Sequence, residues 1–185
     1  MTNFTEKVAI VTGGAQGIGA GIVRQMASLG VKVLVADIDM DMASRTASDI
    51  VNTGSEAKAF KVDVTSYDDL KLMINEAQNL WGRIDYLVNN AFSAGEATIG
   101  GATEVSETQW NAYFSALVSS VYAGSKYAIP VMADGGGGSI VNISSVHGIL
   151  VSKKALTYET GKAAVIAMTR QMAVDYGEFG IRVNS

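Results

Sequence analysis

The sequence predicts a doubly wound α/β domain, a parallel sheet with helices packed on both of its faces. Three observations carry that prediction. Short, nearly continuous apolar runs alternate with longer helical patterns; glycines punctuate the alternation; and no linker or change of composition divides the 185 residues. Such alternation belongs to parallel sheets, because each crossover helix covers the strands it joins and leaves them apolar on both sides.

The strands come first as "KVAIVT" (7–12), then "VKVLVAD" (31–37), "AKAFKVD" (57–63), "IDYLVNN" (84–90) and "SIVNIS" (139–144). Between and after them, 17–29, 40–52, 66–81, 106–129 and 155–176 read as helices. Ser66 with Asp69 and Ser106 with Gln109 make capping-box signatures at two of the starts, the first a weaker Asp variant. Gly30, Gly54, Gly82 and Gly177 stand where helices stop, and the single proline, Pro130, follows the fourth helix. "GIRVNS" (180–185) begins a sixth strand, and a further strand and the segment beyond it are expected to be missing from this one domain, 1–185.

Two glycine-rich stretches need separate readings. "DGGGGS" (134–139) runs from a helix into a strand, the reverse of a phosphate loop, and reads as a connector. "FSAGEATIGG" (92–101) follows the fourth strand at the sheet edge where ligands sit in open α/β folds, so it is expected to form a lip of the site.

Composition narrows the available functions. With 48% apolar and 17% charged residues, the chain reads as soluble and globular. A formal charge of −4, and no Lys/Arg run longer than two residues, offer nothing to nucleic acid. "MTNFTEK" has no apolar leader core, and no segment approaches the roughly 18 uninterrupted apolar residues of a membrane span. A cytoplasmic protein without a membrane partner is expected. Lacking cysteine and holding one histidine, the chain can build neither a zinc–cysteine cluster nor a histidine-rich metal site. Acid–base work falls mainly to Tyr, Lys, Asp or Glu.

"TGGAQGIG" (12–19) leads from the first strand into the first helix, with Gly13, Gly17 and Gly19 in a G-x-x-x-G-x-G spacing. Glycines let the backbone turn tightly and approach a ligand, and a helix amino terminus offers free N–H groups to a pyrophosphate. A merely tight turn needs no such set. Eighteen residues beyond Gly19, the second strand ends at Asp37. A carboxylate there accepts hydrogen bonds from the adenosine ribose hydroxyls and repels a 2′-phosphate. The loop carries Gln16 rather than a base, and Lys32 lies at the wrong end of the strand, so NAD is favoured over NADP. A solvated strand-end aspartate is the plainer alternative, since Asp39 and Asp41 are close by.

In "LTYETGK" (156–162), Tyr158 and Lys162 sit one helical turn apart on a shared face. A free phenol titrates near pH ~10, too high for proton exchange at neutral pH. Lowering it by about three units takes roughly 4 kcal/mol of preference for the phenolate. One ammonium about 4 Å away supplies that order at an effective dielectric of about 20. The arithmetic permits an acid–base tyrosine without requiring one, because such pairs occur on ordinary helices.

"NISSVHG" (142–148) adds the context, with Ser145 thirteen residues before Tyr158. Together with the glycine turn, Asp63–Val64, "NNA" (89–91) and "YETGK", it resembles the short-chain dehydrogenase/reductase family over residues 8–184. The resemblance implies a Rossmann-type sheet of order 3-2-1-4-5-6 and an NAD-dependent oxidoreductase passing hydride between nicotinamide and a secondary alcohol or ketone. It implies that Tyr158 is the general acid/base, that Lys162 lowers its pKa while binding the nicotinamide ribose, and that Ser145 binds the substrate oxygen. Further cofactor contacts are implied at Tyr158 itself, at Gly13, Gln16, Gly17, Ile18 and Gly19, and at Asp37 and Ile38. Asp63 is implied at the adenine amino group with Val64 lining its pocket, and Asn90 and Ala91 near the adenosine ribose.

Two positions depart from the family. Leu117 stands where the family has an asparagine that helps hold a water in a proton relay, and Asn111 points to a different helix face. Phe92 stands where glycine usually follows "NNA", and either swings away from the cofactor or walls the substrate pocket. These departures keep a rival open, a catalytically impaired dinucleotide-binding sensor or scaffold of the same fold. A methyltransferase also places a glycine turn after its first strand but gives no reason for Ser145, Tyr158 and Lys162 in register. A hydrolase is weaker still, for no G-x-S-x-G exists, and His147 reads as a loop histidine without a catalytic task. Helices 106–129 and 155–176, apolar around much of their circumference, point to a homodimer or homotetramer.

Overall fold

In a computed structural model, residues 4–92 and 99–185 are described. The expected lip of the site falls largely on residues 93–98 and so lies outside the described residues. Six parallel strands form one sheet in the order β3-β2-β1-β4-β5-β6. They are β1 (Val8–Thr12), β2 (Lys32–Asp37), β3 (Ala57–Lys61), β4 (Tyr86–Asn89), β5 (Gly138–Asn142) and β6 (Ile181–Asn184). Helices α1 (Gly17–Ser28), α2 (Met40–Asn52) and α3 (Tyr67–Trp81) follow the first three strands in turn.

The strands sit where their apolar runs place them because alternate side chains serve different cores. Ile10, Leu34, Leu87 and Ile140 join Met73 and Ile74 of α3 and Met132 in one cluster. Ala9, Val11, Val33, Val35 and Val88 join Val23 of α1 and Ala43 of α2 in the other. Both helix starts are capped by their serines, but only the second forms the full capping box. Ser66 Oγ accepts from Asp69 N at 3.2 Å, and Ser106 with Gln109 makes the reciprocal capping box.

Coverage of the two faces is unequal. Among the described residues, the face of β5 and β6 that continues the α1/α2 side is open, with Val141 36% exposed beside exposed Arg182 and Asn184.

The expected helix 106–129 is three pieces, α4 (Glu107–Phe114), a π turn over Ser115–Ser119, and α5 (Ser120–Asp134). A π turn widens the helix by one residue and disturbs the i→i−4 ladder, and Ser120 Oγ donates to the Ala116 carbonyl at 2.6 Å. Pro130 does not follow this helix but lies inside α5. Proline removes one N–H and crowds the preceding turn, yet its neighbours Ile129 and Met132 are buried in the core, and their packing carries the helix on to Asp134. The last long helix, α6, spans Leu156–Tyr176. Gly177 caps it in a right-handed conformation, and a 3-10 turn carries the chain to Gly180 at φ +72°, where the left-handed residue falls.

A buried polar chain ties α6 to the sheet. Asn89 Nδ2 of β4 donates to Asn142 Oδ1 at 2.8 Å and to Ser125 Oγ of α5 at 3.3 Å. Asn142 Nδ2 of β5 in turn donates to Thr169 Oγ1 of α6 at 2.9 Å. Leaving one such buried group unpaired costs about 1–3 kcal/mol, so the chain specifies how α6 sits over β5.

Candidate active site

The carboxyl edge of the sheet gathers the glycine turn and the ends of β2, β3 and β4 around a cavity of about 420 Å3. Gly13, Gln16, Ile18 and Gly19 line it from the turn, with Asp37 and Ile38 after β2. Asp63 and Val64 line it after β3, and Asn90 and Ala91 after β4. Gly17 is the one residue of the expected cofactor set on this side that does not line the cavity, and a side chain there would meet nothing within 4 Å.

Hydrogen bonds hold the turn from three sides. Asn90 Nδ2 donates to the carbonyls of Thr12 at 2.9 Å and Gly13 at 3.1 Å. Thr12 Oγ1 accepts from the backbone N–H groups of Asn90 and Ala91, each at 3.0 Å. Asp37 Oδ2 accepts from Ala15 N at 3.0 Å, and Thr46 Oγ1 of α2 donates to the Ala15 carbonyl at 2.9 Å. Gly13 takes φ +63°, and a Cβ on Gly19 would lie 2.0 Å from the Gly13 oxygen. α1 begins after Gln16 with no side-chain cap and no acidic residue in its first turn. Its leading N–H groups and bare glycine backbone fit the phosphates of a dinucleotide.

Ser145 follows β5, and Tyr158 and Lys162 lie on the first two turns of α6. Ser145 caps a 3-10 turn (Val146–Gly148), and its Oγ accepts from His147 N at 3.2 Å. Gly148 lets that turn rest on α6, for a Cβ there would lie 2.9 Å from the Lys162 carbonyl oxygen. Ser144 Oγ donates to the same carbonyl at 2.9 Å. Lys162 Nζ lies 5.8 Å from the Tyr158 ring centre and donates to the Ile143 carbonyl at 2.6 Å. Burial pulls the Lys162 ammonium below the ordinary lysine value.

Phe92 joins the two halves of the site. It lines the dinucleotide cavity, and its ring packs 5.7 Å from Tyr158 and 5.5 Å, edge-on, from Tyr113. Lys162 Nζ stands 5.5 Å from its centre. Burial first, with Tyr158 nearby, pushes Tyr113 above the usual phenol value, so it remains a neutral wall. Leu117 is 2% exposed and seats on α6, where a Cβ on Gly161 would come within 2.4 Å of its Cδ2. Asn111 is exposed on α4 and does not replace it.

Glu159 is the residue that sequence reasoning passed over, and it pairs with His147, which in the sequence reads as a loop histidine without a catalytic task. The His147 ring stands edge-on to Tyr158 at 6.0 Å, and its Nδ1 pairs with Glu159 Oε1 at 3.0 Å. Burial works against the Glu159 charge, but hydrogen bonds from His147 and Ser152 outweigh it and hold the carboxyl below its usual value. The only signal in the sequence was the placement of Glu159 directly after Tyr158.

Residues 7–185 match the model of the short chain dehydrogenase family. The chain belongs to that family. It is accordingly an oxidoreductase on a Rossmann-like sheet. An uncharacterized oxidoreductase of Thermotoga maritima is 36% identical over 99% of this chain and 71% of its own length. The cyclohexanol dehydrogenase of Acinetobacter sp. strain SE19 is 31% identical over 98% of this chain and 72% of its own. A solved 7α-hydroxysteroid dehydrogenase, complexed with NADH and 7-oxo glycochenodeoxycholic acid, superimposes with TM-score 0.92 at 32% identity. It covers 98% of this chain, which spans 70% of that structure. Among the described residues, no helix is long and apolar enough to cross a membrane.

Proposed function

We propose that the protein oxidises a secondary alcohol, or reduces the matching ketone, with NAD. The observation that carries this reading is the Tyr158–Lys162 pair on α6, with Phe92 packed against both and lining the glycine-turn cavity. Bound there, the dinucleotide supplies the hydride acceptor or donor. Tyr158 Oη takes the hydroxyl proton of the alcohol and returns it in the reverse direction. Lys162 sets its Nζ beside the Tyr158 ring. Ser145 Oγ accepts from His147 N, which leaves its own O–H to donate to the substrate oxygen. Leu117 supplies no polar group at its helix position, and Lys162 Nζ rests on the Ile143 carbonyl.

NAD is chosen over NADP by Asp37. Its oxygens each accept one backbone N–H, from Ala15 and Asp39, and a carboxylate has further lone pairs for ribose hydroxyls. No lysine or arginine is among the described residues lining the cavity. Asp37→Ala is expected to narrow the ratio of kcat/KM for NAD over NADP by at least about 10-fold, roughly 1.4 kcal/mol. A wild-type preference for NADP removes this assignment.

The substrate is best sought among ring-bearing secondary alcohols. Phe92 and Tyr113 present an aromatic wall beside Tyr158, and the relatives named for cyclohexanol and a hydroxysteroid support that choice. Turnover of cyclohexanol with NAD is the direct test, and the absence of turnover across cyclic and open-chain alcohols favours the sensor reading.

We also read the chain as a homo-oligomer. Ala163 and Ala167 form an exposed small-residue stripe on α6 with Val174, which is 79% exposed. Sedimentation at micromolar concentration is expected to give a dimer or tetramer; a monomer there rejects the assignment.

A further inference from the structure

Glu159 lies at the junction of the two elements that carry the proposed proton-handling groups. It follows Tyr158 on the first turn of α6, with its side chain 11% exposed. A single oxygen, Oε1, accepts from Ser152 N at 2.5 Å and from Ser152 Oγ at 3.1 Å, and pairs with His147 Nδ1 at 3.0 Å. The far half of the segment from Ser145 to Ser152 is therefore tied to α6 by one carboxylate, while its near half rests on α6 through the Ser144–Lys162 bond and the packing of Gly148. That segment carries Ser145, whose Oγ accepts from His147 N at 3.2 Å. The His147 ring stands 6.0 Å from the Tyr158 ring on the same side.

Resting on the dehydrogenase reading above, we propose that Glu159 and His147 form a positioning clamp that sets the Ser145 hydroxyl against the Tyr158 phenol. Neither residue exchanges a proton with substrate. Glu159 fixes the imidazole, the imidazole holds its own backbone segment in place, and that segment presents Ser145. Both groups must meet one substrate oxygen, and a misplacement of about 1 Å costs as much as ~100-fold in rate. A carboxylate that only stabilised the loop would lower the melting temperature and leave turnover untouched.

The test uses the full chain with NAD and cyclohexanol, with Tyr158→Phe as the control for the underlying reading. Wild-type turnover that the control abolishes secures that reading. Glu159→Ala is then expected to lower kcat by about 10- to 100-fold, with the KM for NAD unchanged because Glu159 does not line the dinucleotide cavity. Glu159→Gln, which keeps an acceptor oxygen, is expected to recover most of that loss. His147→Ala should lower kcat alone, and the double variant should fall no further than Glu159→Ala, since members of one clamp are not additive. Turnover by Glu159→Ala within about twofold of wild type, against an active control pair, overturns the clamp and leaves the dehydrogenase reading standing. Should Glu159→Ala fail to fold, His147→Ala decides: an unchanged kcat overturns the clamp and a reduced kcat at unchanged melting temperature supports it. Should no alcohol be turned over, amide exchange at His147, whose N–H donates to Ser145 Oγ, reads the placement of Ser145 without substrate. Protection lost in Glu159→Ala and kept in Glu159→Gln supports the clamp, and protection kept in both overturns it.

Discussion

Tyr158→Phe is expected to lower kcat for a secondary alcohol by about 10²–10⁴-fold, or roughly 3–5 kcal/mol of barrier, while the protein still folds and binds NAD. The substitution removes one oxygen. The ring contacts with Phe92 and His147 remain, and so does the Lys162 hydrogen bond to the Ile143 carbonyl. A group whose only task is proton transfer should show its loss in kcat and leave dinucleotide affinity nearly unchanged. Steady-state kinetics beside a fluorescence titration of NADH separate these quantities. If the variant keeps turnover within about tenfold of wild type, another group moves the proton. Tyr113 also packs against Phe92, but burial raises its pKa and leaves even less phenolate to act at neutral pH.

Gly19→Ala is the second large effect, and it falls on binding. The new methyl group would lie 2.0 Å from the Gly13 carbonyl oxygen and 2.6 Å from Asn90 Nδ2. The first contact is backbone and cannot rotate away, so the turn must open and the Asn90 bonds to Thr12 and Gly13 must break. A loss of about 1–3 kcal/mol in stability is expected from the overpacking. Dinucleotide affinity should fall by at least about 100-fold, since the phosphate cradle and the helix N–H groups lose their common geometry. Gly21→Ala is the matched control. It lies on the same helix with nothing within 4 Å of its would-be Cβ, and replacing such a glycine stabilises by about 0.4–1 kcal/mol. Equal melting temperatures and equal NADH affinities for the two variants would reject the close approach.

Much of this architecture was legible because it is locally encoded. Alternating side chains in β1 serve both cores, so an apolar run from Val8 onward marks a strand without knowledge of its neighbours. The Ser106–Gln109 box is complete within four residues and formed as read. Pro130 misled for the same reason. Proline is locally a helix stop, but the buried Ile129 and Met132 outweigh the missing N–H. The π turn was marked by no periodic or capping signal, and the contact made within it, the Leu117 side chain seated over Gly161, lies between elements.

The sequence alone determined the strand–helix rhythm, the glycine turn and which side chains are available for acid–base chemistry, because periodicity, turn chemistry and spacing are properties of neighbouring residues. Tertiary structure decided where Phe92 points, that Asn89, Asn142 and Thr169 join β4, β5 and α6, and that Glu159 reaches both His147 and Ser152. The hydrogen-bonded pairings among these span from 7 to 53 positions along the chain. No local pattern marks a partner that far away; only the closing of the sheet brings it within hydrogen-bond reach.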